Sequence, residues 1–157
     1  MSVEWPAMTS IVVEQDGPIV KVRLNRPQKM NAINSAMETE FYSVLEECER
    51  RDDVKCVVLA AAGSNFSSGH DIQQVAAERV GGQEPATIQG KYWVHTGELL
   101  PPWHFSKGLV VATKGYVGPH AHTFLLAADV VIAAADTRFS LEESRVGVGA
   151  PYGFYAL

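Results

Sequence analysis

Basic residues are in short supply: 13 lysines and arginines stand against 18 aspartates and glutamates, leaving a formal net charge of −5. No basic stripe is available to neutralise a run of phosphates, which argues against a nucleic-acid partner and leaves room only for a local basic pocket around one anionic group. Cysteine is scarce as well. Cys48 and Cys56 sit in apolar, periodic stretches and match neither metal-ligand spacing nor a redox motif. The expectation is two reduced, buried thiols rather than a disulfide framework. No apolar run approaches the roughly 20 residues that cross a bilayer. The start, Met1 to Met8, carries Glu4 and Pro6 and no basic-then-apolar leader. These absences together predict a soluble, cytoplasmic protein with no membrane partner.

Apolar material, by contrast, is plentiful. Of 157 residues, 46% are hydrophobic and 20% charged, which suits one globular domain with a real core and is too little for two. Ile11-Val12-Val13 and Ile19 to Leu24 are β-branched runs joined by Asp16-Gly17, a hairpin turn signal. In the second run Val20, Val22 and Leu24 alternate with Ile19, Lys21 and Arg23, so one face is predicted to meet a core. Ser35 to Glu38 has the form of a capping box, and Met37, Phe41, Val44, Leu45 and Cys48 recur at helical spacing to about Arg51. Lys55 to Ala61, Leu109 to Ala112 and Val130 to Ala133 read as short strands buried in a parallel sheet. Further helices are expected over Ile88 to Leu100 and His120 to Ala127, a mobile loop over Gly81 to Pro85, and a short extended piece over Thr137 to Ser140. Strands alternating with helices define an α/β class.

Three segments carry chemistry. Phe66-Ser67-Ser68-Gly69-His70-Asp71-Ile72 is a small-residue turn entering a helix, a place where backbone N–H groups can face an oxyanion. Lys114 to Thr123 is a second glycine-bearing turn between a strand and a helix. Two converging amides make an oxyanion hole, and losing one such donor typically costs roughly 3–4 kcal/mol of transition-state stabilisation. The third, Phe139 to Glu143, places a carboxylate beside a turn and apolar residues, where its affinity for a proton can rise toward that of a general acid or base. Each segment alone also suits ordinary loop structure; their order and spacing decide.

Taken together they resemble the crotonase superfamily, the enoyl-CoA hydratase/isomerase family, along nearly the whole chain. The residues that carry the resemblance are Asn25-Arg26-Pro27 with Asn31-Ala32-Ile33-Asn34, Phe66 to Ile72, Gly115-Tyr116 with Leu126 to Asp129, and Ala134 to Glu143. The resemblance implies a crotonase-like ββα spiral, truncated before the C-terminal helical region, with residues 1–157 forming a single domain incomplete at that end. It implies oxyanion donors at the amides of His70 and His120, and CoA contacts at Ser68, Asp71 and Ile72. Thr123 would line the pocket and Glu143 would be catalytic. The expected partner is an acyl-CoA thioester, with no cofactor beyond the coenzyme A of the substrate itself. A second copy, or a partner chain that supplies the C-terminal region, is expected too. Lys29 and Arg26 are the basic residues placed to meet CoA phosphates.

The chain departs from the family pattern in three places. A triple glycine is replaced by Pro119-His120-Ala121, so a side chain narrows the approach to the His120 amide. The first catalytic Glu of hydratases falls on Thr123. Pro151 removes an N–H from the turn where hydratases hold water. One remaining carboxylate favours isomerase-type chemistry over hydration. A non-catalytic acyl-CoA-binding or regulatory module, or a subunit of a larger enzyme, is the alternative. His70, His120 and His122 are expected to lie near one another, without the ligand spacing of a metal site. Tyr92, Trp93, Trp103 and Phe105 are expected in the core or over the pocket.

Overall fold

The structure, a computed structural model, describes residues 5–74, 77 and 104–142. The hairpin forms as its turn signal predicts: β1 (Ile11–Asp16) pairs antiparallel with β2 (Ile19–Leu24). Val20, Val22 and Leu24 are fully buried while their alternate neighbours face solvent. Helix α1 (Ser35–Arg50) follows, and its predicted stripe of Met37, Phe41, Val44, Leu45 and Cys48 is buried to a residue. The helix start differs from the expected capping box. Asn34 is the N-cap, its Oδ1 accepting from the Met37 amide at 3.0 Å. Asn and Ser cap equally well, so adjacent capping residues leave the sequence ambiguous by one position. Glu38 is therefore not spent on the helix start.

Strand β3 (Cys56–Ala61) lies parallel to β2, and β4 (Gly108–Thr113) parallel to β3. After β4 the chain makes β5 (Tyr116–Val117), a 3₁₀ turn at Pro119–Ala121 and the short helix α2 (His122–Leu126). Strand β6 (Val130–Ala133) then pairs parallel with β4, and β7 (Arg138–Phe139) parallel with β5. The main sheet has the order β1-β2-β3-β4-β6. The expected third buried strand is corrected in one respect: β6 is a strand, but Val130, Val131 and Ile132 are 41–58% exposed. It lies at the end of the sheet, and no described residue covers it. Cys48 is buried as expected, whereas Cys56 is only half-buried.

A second, narrower ladder runs beside the main sheet. Ile33 bridges His70, Ser67 bridges Val117, and β5 pairs with β7, all in parallel. The chain is thus a spiral. Each pass lays one strand in the broad sheet and one short extended piece in the narrow ladder: β2 then Ile33, β3 then Ser67 to His70, β4 then β5, β6 then β7. Phe41 and Phe124 meet edge to face at 5.2 Å between α1 and α2, an arrangement that adds about 1 kcal/mol beyond area burial. This core fixes α1 against the turn at Pro119–Ala121. Among the described residues no helix is long and apolar enough to cross a membrane. The predicted helix over Ile88 to Leu100, the segment Gly81 to Pro85, Tyr92, Trp93, Trp103 and the turn bearing Pro151 lie outside the described residues.

Candidate active site

The narrow ladder brings the two chemistry-bearing turns together. The Phe66 and Ser67 amides donate to the Tyr116 carbonyl, at 3.1 and 3.2 Å, and the Gly118 amide donates to Ser67 O at 2.8 Å. The two segments therefore run side by side in register, with Ser67 beside Val117 and His70 beside His120. Two glycines permit this closeness. A Cβ on Gly118 would stand 2.2 Å from the Ser68 carbonyl oxygen, an impossible contact. Gly69 takes φ +92°, and a Cβ there would lie 3.4 Å from the His120 amide nitrogen.

His70 and His120 meet directly. Their rings stack with centroids 3.5 Å apart and planes 21° from parallel. The bridge to Ile33 uses the Gly69 carbonyl and the Asp71 amide, at 2.8 Å each, so the His70 amide lies on the opposite edge of that short extended segment. His120 sits in the first turn of the Pro119–Ala121 3₁₀ helix, where an amide has no intrahelical acceptor. Burial, and then the neighbouring His120, hold the His70 imidazole far below its ordinary value, at about 2. It is a neutral ring at physiological pH.

Glu38 is the residue that sequence reasoning missed. Its carboxylate reaches from the first turn of α1 to His120, with Oε1 2.6 Å from Nε2. The side chain is 5% exposed, and its second oxygen, Oε2, is buried with no hydrogen-bond partner among the described residues. A buried carboxylate forfeits several kcal/mol of hydration, so one with a bare oxygen is an unusual thing for a fold to keep. The sequence signal was present, an acidic residue at a position facing the same way as Met37 and Phe41, but the capping pattern accounted for it locally.

The remaining site residues divide by what they touch. Thr123, 4% exposed, lies three residues past His120 at the start of α2. His122 turns away, its Nδ1 lying 3.0 Å from both the Gly118 and the Pro119 carbonyls. Among the described residues no group of three or more His, Cys, Asp or Glu is placed to hold a metal ion. Ser68 donates its amide to Met30 O at 2.9 Å. The side chain of Ile72 stands 71% exposed at the lip of the turn. Asp71 is engaged within the fold, its carboxylate 2.9 Å from the Arg26 guanidinium. Burial pushes Asp71 up, but the Arg26 bond and charge, with the Gln74 and Gln73 amides, more than offset it and leave the carboxyl below its usual range. Arg26 also donates to Ala32 O at 2.6 Å, and Lys29 to Gln73 Oε1 at 2.8 Å. A second bracket is Asn31, buried with φ +50°. Its Nδ2 donates to Ala62 O and Asn65 O while its Oδ1 accepts from the Arg26 amide. Asn tolerates left-handed backbone better than most residues, which is why that residue type fits there. Glu143 lies outside the described residues.

A spiral that lays one strand of each pass in a broad sheet and one short piece in a narrow ladder is the fold of a known class. The sequence profile of the enoyl-CoA hydratase/isomerase family matches residues 14–157, and the chain belongs to that family. It is 29% identical over 155 residues to the short-chain-enoyl-CoA hydratase of Clostridium acetobutylicum, an alignment covering 94% of this chain and 54% of that one. It is 27% identical over 148 residues to the 1,2-epoxyphenylacetyl-CoA isomerase of Escherichia coli, covering 90% and 53%. Among solved structures it superposes on Pseudomonas aeruginosa AtuE with TM-score 0.79 at 30% identity, covering 89% of this chain and 54% of the other. An enoyl-CoA hydratase from Shewanella pealeana, at 22% identity and TM-score 0.77 over 95% and 55%, shares the fold. The chain spans about half the length of the relatives it matches.

Proposed function

We propose that the chain acts on an acyl-CoA thioester through an enolate. The observation that carries this reading is the registration of the two turns, which sets His70 against His120 at 3.5 Å between ring centroids. With the side chains stacked, the two amides serve as donors to one thioester oxygen, the place where negative charge develops. Ile72 and Ser68 receive the CoA end, Asp71 braces that turn through Arg26, and Thr123 lines the acyl pocket. Glu143 is the proton-transferring carboxylate. The relatives' names support the substrate class, since both the hydratase and the isomerase are named for CoA thioesters.

Within that class, double-bond isomerisation is favoured over hydration. Hydration calls for one group to activate water and another to deliver a proton. Moving a double bond needs a single group that takes a proton from one carbon and returns it to another. Thr123 stands where the hydratase pattern has its first acid, leaving Glu143 as the one carboxylate of that pattern. No cofactor is proposed beyond the coenzyme A of the substrate. The partner is a second copy, or a chain supplying the remaining helical region, in the cytoplasm. The test is turnover of 2-enoyl- and 3-enoyl-CoA. Isomerisation abolished by Glu143→Gln, with some hydration gained in Thr123→Glu, supports the reading; rapid hydration of 2-enoyl-CoA untouched by Glu143→Gln overturns it. A second reading, a module that binds acyl-CoA without turning it over, rests on the missing acid at Thr123. It is favoured if tight binding accompanies no turnover of either substrate.

A further inference from the structure

We propose that the side chain of His120, positioned by Glu38, donates a hydrogen bond from Nδ1 to the thioester oxygen and so supplements the backbone donors at this site. The proposal rests on the acyl-CoA reading above and adds a stabilising group to it. The motive is steric as well as electrostatic. A side chain at this position narrows the approach to the second amide and sets an imidazole beside that approach.

The ring is fixed from two directions. Its Nε2 edge is 2.6 Å from Glu38 Oε1, reaching in from α1, and one face is covered by the ring of His70. His122, the other titratable group on the same turn, is directed to the Gly118 and Pro119 carbonyls instead. Glu38 and His70 are thus the titratable groups in contact with the His120 ring in these two directions. The Glu38 carboxyl group, buried and with Oε2 unpartnered, occupies the Nε2 edge and leaves Nδ1 as the ring nitrogen offered to a ligand. His70 stays neutral and does not compete for that carboxyl group. His120 retains 16% exposure where Glu38 keeps 5%, so the imidazole, not the carboxylate, is the accessible end of the pair.

The chemistry balances without a further reactant. As the Cα–H bond breaks, the proton goes to the Glu143 carboxylate and the electron pair moves through the carbonyl to the thioester oxygen. His120 Nδ1–H shares its proton with that oxygen in a hydrogen bond and keeps it. When the proton returns to carbon, the oxygen charge is discharged and His120 is unchanged. His120 is thus a catalytic residue by contact, and Glu38 a positioning residue that acts through it.

Infrared spectroscopy of carbonyl-labelled crotonyl-CoA bound to the full chain, with calorimetry in parallel, tests this. A hydrogen bond to the carbonyl lowers its stretching frequency. The expected result is a lowered frequency in the wild type, most of the shift lost in His120→Gln and part of it in Glu38→Gln, with affinity changing less than the shift. An equal shift in all three proteins overturns the proposal and leaves the acyl-CoA reading intact. Failure of the wild type to bind crotonyl-CoA overturns that reading and the proposal with it. Should Glu38→Gln not fold, the unaltered chain still decides. The ring ¹⁵N signal of His120 Nδ1 must show a bound proton and must move when crotonyl-CoA is added; a ring unmoved by the ligand refutes the donor role.

Discussion

Acidification should unfold this protein earlier than its carboxylates alone would allow, because of one histidine. His70 binds a proton at about 2 in the folded chain against an ordinary value of 6.5, burial being the main cause and His120 the second. The unfolded chain therefore takes up a proton that the folded chain refuses once the pH drops below 6.5. The contribution is fully present above that value and is lost as pH falls, by about 1.4 kcal/mol per unit, until the folded value is reached. Between pH 6.5 and pH 5 the loss is about 2 kcal/mol, a large part of a small domain's stability. Glu40, Asp53 and Asp71 all have depressed values, so their losses fall at lower pH, in and below the carboxylate range. The window from 6.5 to 5 thus belongs to histidine. Urea unfolding followed by tryptophan fluorescence at pH 7 and pH 5 measures the effect. His70→Phe keeps a ring against His120 and removes the titration. Wild type should lose about 2 kcal/mol more than His70→Phe across the window. Parallel losses in the two proteins would refute the assignment of His70 as a buried neutral ring.

Other perturbations bear on how the two turns are joined. Gly118→Ala forces a Cβ to within 2.2 Å of the Ser68 carbonyl unless the turns part, so the variant should be destabilised by roughly 2–3 kcal/mol in urea unfolding, and any thioester binding should weaken. Asn34→Ala should cost about 1 kcal/mol, since it removes the acceptor for the Met37 amide; no change would show that the cap lies elsewhere. Burial pushes the Cys48 thiol up to about 12, with Arg51 and Lys107 partly opposing it, so a thiol reagent at pH 8 should label Cys56 first and Cys48 only on unfolding.

What the sequence made legible follows from where the physics is local. The alternation of Val20, Val22 and Leu24 and the helical stripe from Met37 to Cys48 are periodic signals that formed as read, and the three short apolar runs formed parallel strands. The turns at Gly69 and Gly118 announced themselves through small residues. The Glu38–His120 contact did not, because it joins residues 82 positions apart and each had a sufficient local explanation. Asn31 was hidden for the same reason: its value lies in bonds to Ala62 and Asn65, across the spiral. Strand β6 was legible as a strand and not as an exposed one, since an apolar run states what a segment prefers and not whether anything is there to cover it.

The winding of the chain also sets how its stability is distributed. Where successive coils touch only their immediate neighbours, the molecule behaves as a one-dimensional array. Each coil is held by its own bonds and by the interface on either side. The β3 coil has a neighbour on both flanks and shares its protection with both. The β6–β7 coil has one, and its apolar strand presents an unpaired row of backbone groups to the medium among the described residues. Such an array frays from its ends and is made cooperative by whatever seals them. Among the described residues the β6–β7 coil is therefore the part most open to fraying, and covering its edge would stiffen every coil behind it.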